Sequence, residues 1–257
     1  MGHKILLCLL LISLPLYAGY HNETRKLNLS ASGIEKLKIE SGSGFLEVFG
    51  KDGLDEIEVK AEIEMEGVDE DDAKEILDRY LELSLEKRDS KAILVSVFEG
   101  NQGFFRRVRN VHIDLTVYIP SKLDVSIKQG SGSLELDNIE GKVDIDDGSG
   151  SIKIRNIAGK LEIDDGSGEV DITDVRGNIE IIDGSGGIRV ENLTGDIVVD
   201  DGSGSIRIKK VDGNVEVSDG SGSITIDDVT EDVTIKDSGS GGVSIRNVDG
   251  SVHRYDD

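Results

Sequence analysis

The 257-residue sequence predicts an all-β protein: a single-stranded parallel β-helix (β-solenoid) with 18-residue coils, preceded by a less regular β-rich part that contains one short helix. Three observations predict it. A glycine stands at every ninth position from Gly132 to Gly222, and an aliphatic residue follows two and four places after each. The seventh place alternates between aliphatic residues (Ile139, Ile157, Val175, Leu193, Val211, Val229) and glycines (Gly148, Gly166, Gly184, Gly202, Gly220). Aliphatics two apart share one strand face, so each nine-residue unit is a short strand, and the alternation doubles the coil to eighteen.

In chain order, residues 1–18 read as a secretory signal peptide, with Lys4 before the apolar run Ile5 to Leu14 and Ala18 offering a cleavage site. That run is shorter than the roughly 20 residues a membrane-spanning helix needs, so no transmembrane span is expected in the mature chain. Cys8, the one cysteine, lies within the run, which leaves the mature chain without a thiol, a disulfide or a thiolate metal site. Residues 19–128 form the irregular part. Alternating pairs such as Leu37/Ile39, Leu46/Val48, Ile57/Val59, Ile93/Val95, Ile113/Leu115 and Val125/Ile127 predict its strands. One helix is expected near residues 69–80, with acids in its first turn and Ala73, Ile76, Leu77 and Tyr80 on one face. Packed on a sheet or over the first coil, it would cover an exposed edge.

The regular solenoid spans residues 129–250. One corner of each coil is of the Asn-Ile type, and the other is Asp-Asp-Gly-Ser-Gly, where no Cβ obstructs the turn. Nine is odd while strand faces alternate in twos, so the phase must be reset in every unit; two outward residues before each corner are expected to do this. Near Asp237 the pattern gains one residue, and residues 251–257, with His253, Arg254 and Tyr255, suit a C-terminal cap or tail.

Acidic residues outnumber basic ones by 52 to 29, for a formal charge of -23. Phosphate backbones and anionic lipids require clustered Lys and Arg, so nucleic acid is excluded as a partner and cations or basic partners are compatible. Outward residues Glu135, Lys153, Asp171 and Arg189 alternate in sign, whereas Asp144, Glu162, Glu180 and Glu216 make an acidic face, read as a solubility surface or a docking face for basic partners.

An aspartate recurs before the Gly-Ser-Gly corner at Asp147, Asp165, Asp183, Asp201, Asp219 and Asp237, and stacking puts these carboxylates in one column. Like charges about 4.8 Å apart in water repel by roughly 1 kcal/mol, so a compensating partner is expected. One candidate is local, the backbone N–H groups of each turn. The other is calcium, held by Asp147, Asp165, Asp183, Asp201 and Asp219 with turn carbonyls. Calcium-binding nonapeptides also repeat every nine residues, but they place Asp where this chain has Ile152, Val170, Ile188 and Ile206.

The one basic, aromatic cluster is Phe104, Phe105, Arg106, Arg107 and Arg109, either a hairpin loop tucked on a sheet or a hot spot for a surface or envelope partner. Paired carboxylates also serve glycoside hydrolysis. Residues 121–250 contain no aromatic residue, histidine, cysteine or methionine, and the acids recur in every coil, so no catalytic residue is assigned and no cofactor is expected apart from the calcium alternative.

Glu40-Ser41-Gly42-Ser43-Gly44 before Phe45, the strand Ile113 to Pro120, and the run from Gly130 onward make the sequence similar to the bacterial putative-adhesin β-solenoid family of exported domains. That resemblance implies export and a non-catalytic role. The sequence thus points to a periplasmic, cell-surface or secreted protein that presents a rigid acidic solenoid for adhesion or scaffolding. A calcium-dependent binding module and a polysaccharide-acting enzyme are the competing readings.

Overall fold

The computed structural model describes residues 19–99 and 110–255. The expected signal peptide and the Phe104, Phe105, Arg106, Arg107, Arg109 cluster lie outside the described residues.

The chain opens with β1 (Tyr20–Ser30), β2 (Lys36–Ser43), β3 (Leu46–Lys51) and β4 (Glu56–Glu66). After these come α1 (Glu70–Tyr80), β5 (Leu81–Arg88), β6 (Lys91–Phe98) and β7 (Asn110–Pro120). The repetitive part then alternates between two sheets. One receives β9 (Leu134–Ile139), β11 (Gly150–Ile157), β13 (Gly168–Arg176), β15 (Gly186–Thr194), β17 (Gly204–Asp212), β19 (Gly222–Val229) and β21 (Val243–Val248). The other receives β8 (Asp124–Ser131), β10 (Val143–Asp147), β12 (Leu161–Asp165), β14 (Ile179–Asp183), β16 (Ile197–Asp201), β18 (Val215–Asp219), β20 (Val233–Asp237) and β22 (Val252–Arg254).

From β8 onward the coils pair in parallel, and up to Ile235 the partners are eighteen residues apart, as in Ile145↔Ile163 and Ile163↔Ile181; the last pairings, β19 with β21 and β20 with β22, join residues nineteen apart. The expected coil is therefore present, with one strand of each coil in each sheet. The aliphatics of the repeat meet between the two sheets as one continuous core, and nearly all are fully buried. Neither strand of a coil can bury its apolar face alone, so ladder bonds and burial both come from the coils above and below.

The phase reset differs between the corners. Before the aliphatic corner, two successive residues such as Arg155 and Asn156 do face outward, and Asn156 takes a left-handed φ of 54°. The same conformation recurs at Asn138, Asp174, Asn192, Lys210, Asp228 and Asn247. It kinks each of the repeat strands of this sheet, β9 to β21, at the same place, without changing the register between coils, and returns Ile157 to the core. Before the Gly-Ser-Gly corner the expectation fails, because only the first aspartate of each pair faces out and the second is turned inward. Here the four residues 148–151 carry the chain around the corner instead. The glycine that begins each following strand lies against the previous coil: a Cβ on Gly168 would overlap the carbonyl oxygen of Gly150.

The N-terminal part belongs to the same two sheets, and β8 runs across residues 128 and 129 without a break. The coil formed by β2 and β3 lies between β8–β9 on one side and β6–β7 on the other, all parallel. Beyond this the direction reverses. β4 continues one sheet antiparallel to β7 and β1 follows antiparallel to β4, while β5 adds to the other sheet antiparallel to β6. Helix α1 lies against β1 and β5 and buries Ala73, Ile76 and Leu77, so it covers the core at this end as expected. Asp69 caps the helix by accepting a hydrogen bond from the Asp72 N–H.

The strand at β6 is out of phase with the sequence expectation. Its inward residues are Ala92, Leu94 and Ser96, while Ile93 and Val95 turn away, because pairing with β2 aligns Leu37 with Ala92 and Ile39 with Leu94. At the other end, the extra residue near Asp237 produces a register shift against β18. β22 puts Arg254 opposite Ile235, an exposed charge where earlier coils carry a core aliphatic, and a charge at this register discourages further strand pairing.

Candidate functional site

Three surfaces or files follow from the repeat. The first is internal. Asp147, Asp165, Asp183, Asp201 and Asp219 end the short strands β10 to β18, in register, and each is at most 2% exposed. This corrects the picture of a column of charges in water. The Oδ1 atoms of Asp165, Asp183, Asp201 and Asp219 accept from the N–H of Ser167, Ser185, Ser203 and Ser221 at 2.9–3.1 Å, the Asx-turn geometry. Their Oδ2 atoms are buried without a partner, and neither oxygen of Asp147 makes a full hydrogen bond, although the N–H groups of Gly148 and Ser149 act on it. Burial pushes all five carboxyls above their ordinary value, with the turn N–H opposing it, and Asp165 and Asp201 reach about 6.

The same register position continues upward through Gln129 and Ser41 to Ser96, so one inward polar side chain per coil runs along this corner. At the lower end Asp237 leaves the file, because the extra residue turns it outward and brings Ser238 inside. Among the described residues, no group of three or more His, Cys, Asp or Glu side chains is placed to hold a metal ion.

The second feature is a groove of 940 Å³ along the aliphatic corner, walled by the left-handed Asn156, Asp174, Asn192 and Lys210 on one side and by Arg176 and Thr194 on the other. Its amides are engaged between coils: Asn156 donates to Asp137 at 2.7 Å and Asn192 to Asp174 at 2.9 Å. A neighbouring file does likewise, with the N–H of Asp196 and Asn214 donating to the side chains of Asn178 and Asp196. These hydrogen bonds hold the Asp196 carboxyl below its ordinary value.

The third feature is the outer face of the sheet that contains β10 to β18. Its acids are partly neutralised from the corner, since Lys142 and Lys160 both reach Glu162 and Lys160 also reaches Glu180 at 3.3 Å. These lysines keep the Glu162 carboxyl below its ordinary value. The face is not wholly polar. Ile182 is 50% exposed and Val198 44%, on adjacent strands. Ile182 is paired laterally with Asp164 and Asp200, and Val198 with Glu180 and Glu216.

The profile of the Toastrack DUF4097 family matches residues 34–255. The chain belongs to this family. Among solved structures, a putative cell adhesion protein from Clostridium sporogenes is similar, at 16% identity over 92% of this chain and 100% of that one, with a TM-score of 0.36. A putative adhesin from Bacteroides fragilis is 14% identical over 91% and 97%, with a TM-score of 0.41. A putative lipid binding protein from Parabacteroides distasonis is 16% identical over 91% and 96%, with a TM-score of 0.39. No curated protein matches the chain.

In this Toastrack chain the five predicted aspartates do gather into one file, on the inside. The apolar pair on the acidic face went unnoticed in the sequence, although the signal was there. Ile182 occupies the place filled by Asp146, Asp164 and Asp200 in other coils, and Val198 the place of Asp144, Glu162, Glu180 and Glu216. An aliphatic at an outward position breaks the repeat without gaining burial. No helix among the described residues is long and apolar enough to cross a membrane.

Proposed function

We propose that this Toastrack protein is exported and works at the cell envelope or surface as a non-catalytic rod for adhesion or scaffolding. In this reading the acidic outer sheet docks a basic partner. The observation that carries the proposal is the half-exposed Ile182 and Val198 pair, flanked by Asp164, Asp200, Glu180 and Glu216. A solvated surface gains nothing from aliphatics at outward positions, whereas an apolar centre with a charged rim is the anatomy of a recognition patch. Asp164 and Asp200 make no ion pair among the described residues, so their charge is available to a partner, whereas Glu180 and Glu216 are already bridged by Lys160 and Lys236.

The test is retention of protein-coated beads on surfaces bearing polylysine, alkylated polylysine or polyglutamate. Retention is expected to rank alkylated polylysine first and polyglutamate last, and to weaken with salt. The double variant Ile182→Asn/Val198→Asn should lose the preference for the alkylated surface by roughly tenfold, equivalent to about 1.4 kcal/mol. Equal retention of the variant and the parent on both polylysine surfaces would reduce this face to a solubility surface.

A further inference from the structure

We infer that the inward aspartate file is a proton-binding ladder, in which Asp147, Asp165, Asp183, Asp201 and Asp219 hold protons taken from solvent and share them between successive coils. Each protonated Oδ2 donates a hydrogen bond to an oxygen of the side chain one coil away.

The geometry leaves little else to satisfy these oxygens. An ionised carboxylate only accepts hydrogen bonds. In Asp165, Asp183, Asp201 and Asp219 the Oδ1 is satisfied by its turn, and the Oδ2 is sealed from water with no donor in reach. Register sets these groups one strand spacing apart, about 4.8 Å, so acceptor faces acceptor down the file. A proton on one member turns it into a donor and removes one of the two like charges.

Gln129 supplies an independent observation. It is 3% exposed and occupies the register position next to Asp147. Its amide nitrogen is directed to the Gly44 carbonyl oxygen at 3.4 Å, leaving Oε1 buried and unpartnered at the step next to Asp147, a carboxyl on which only the turn N–H groups of Gly148 and Ser149 act favourably. Two acceptors at adjacent steps of a closed file call for a hydrogen between them, and with the Gln129 amide nitrogen engaged by Gly44 a protonated Asp147 supplies it. Ser41 and Ser96, whose hydroxyls are also buried without partners, extend the file in the same direction.

Among the described residues no cation is placed to compensate instead. The charged groups acting on these carboxyls are the file members themselves, the outward Asp146, Asp164 and Asp200, and Asp237 at the lower end. The opposite strands β11 to β19 turn aliphatic residues inward, among them Ile152, Val170 and Ile188. Lys128, on the strand beside Asp147, faces outward and is paired with Asp146 at 3.4 Å.

The sign of the pH dependence follows. Burial raises the folded-state values above the ordinary 3.8, to about 6 at Asp165 and Asp201, so folding takes up protons. The contribution to stability is complete below the ordinary value and is lost as pH rises through about 6. Asp196 and Glu162, held below their ordinary values, have the opposite dependence and act at lower pH, so the window between about pH 5 and 7 belongs to the file.

The test uses the whole protein. Carboxyl carbon NMR shifts of the aspartates are followed from about pH 4 to pH 8, together with urea midpoints for the parent and for Asp165→Asn/Asp183→Asn/Asp201→Asn. The signals of Asp165 and Asp201 are expected to titrate near pH 6 in the folded parent and those of the other file members above the ordinary range, and the midpoint should fall as pH rises through about 6. Asparagine supplies acceptor and donor permanently, so the variant should lose the pH dependence and be the more stable protein at about pH 7.5. A parent in which every aspartate is ionised at about pH 6, or whose midpoint is flat from about pH 5 to 8, would overturn the ladder. The NMR titration decides the matter on the parent alone should the variant fail to fold.

Discussion

The left-handed residues along the groove show how one side chain is chosen by its backbone. Non-glycine residues at positive φ lose roughly 1–2 kcal/mol to the contact between Cβ and the carbonyl oxygen, and Asn and Asp are the common exceptions. Six of the seven positions in this file are Asn or Asp, and the seventh is Lys210 at 57°. Its ion pair to Glu191 at 3.5 Å joins partly exposed groups and contributes little. Lys210→Asn is therefore expected to stabilise the protein by about 1 kcal/mol in urea denaturation. A loss of stability would mean that the Lys210 stem or charge matters to the groove. The residue scale is also where the sequence was least legible. The same letters, Asp-Asp, describe one outward and one inward side chain, and only the four-residue corner that follows determines which is which.

At the scale of elements, the helix was legible because its cap, its acidic first turn and its apolar face all agree. The phase of β6 was not, because Ile93, Leu94 and Val95 are all aliphatic and only pairing with β2 decides which face turns inward. Nor was the reversal to antiparallel pairing at β4 and β5, since alternation carries no information about strand direction. Helix α1 closes the core at that end, and Leu77 is its most buried large residue apart from Ala73. Leu77→Ala should cost about 2–5 kcal/mol locally. Stability in a solenoid is a sum of nearest-neighbour terms, so the effect is expected in amide exchange at β1 and β5, while β13 to β17 keep their protection. Uniform loss of protection across both sheets would show instead that the chain unfolds as one unit.

For the molecule as a whole, each sheet contains eleven strands, and ten steps of about 4.8 Å give a rod roughly 48 Å long. The period of eighteen and the two sheets were readable from glycine and aliphatic spacing alone, because every coil repeats the same demand. The interleaving of β2 and β3 between β6–β7 and β8–β9 was not, since it joins segments of unlike sequence. The aspartates differ most from their sequence reading in what compensates them. A calcium module would be stabilised by its ion through mass action. With the carboxylates inside the rod and one oxygen of each already bonded to its turn in four of the five, millimolar calcium is expected to move the thermal midpoint by about 1 °C or less. A rise of several degrees, specific to calcium over magnesium, would restore the metal reading and count against a protonated file.

The identity of contacts from coil to coil has an evolutionary consequence. Removing or duplicating eighteen residues anywhere between β10 and β19 would leave the inward joints chemically alike, with aliphatic on aliphatic and carboxyl on carboxyl, and the corner glycines still stacked on glycines. The reach of such a protein can change in discrete increments by unequal recombination, with no need to reinvent an interior. Insertions of other lengths would have to be absorbed as the one at Ser238 is, by a bulge near a terminus where little is stacked beyond it.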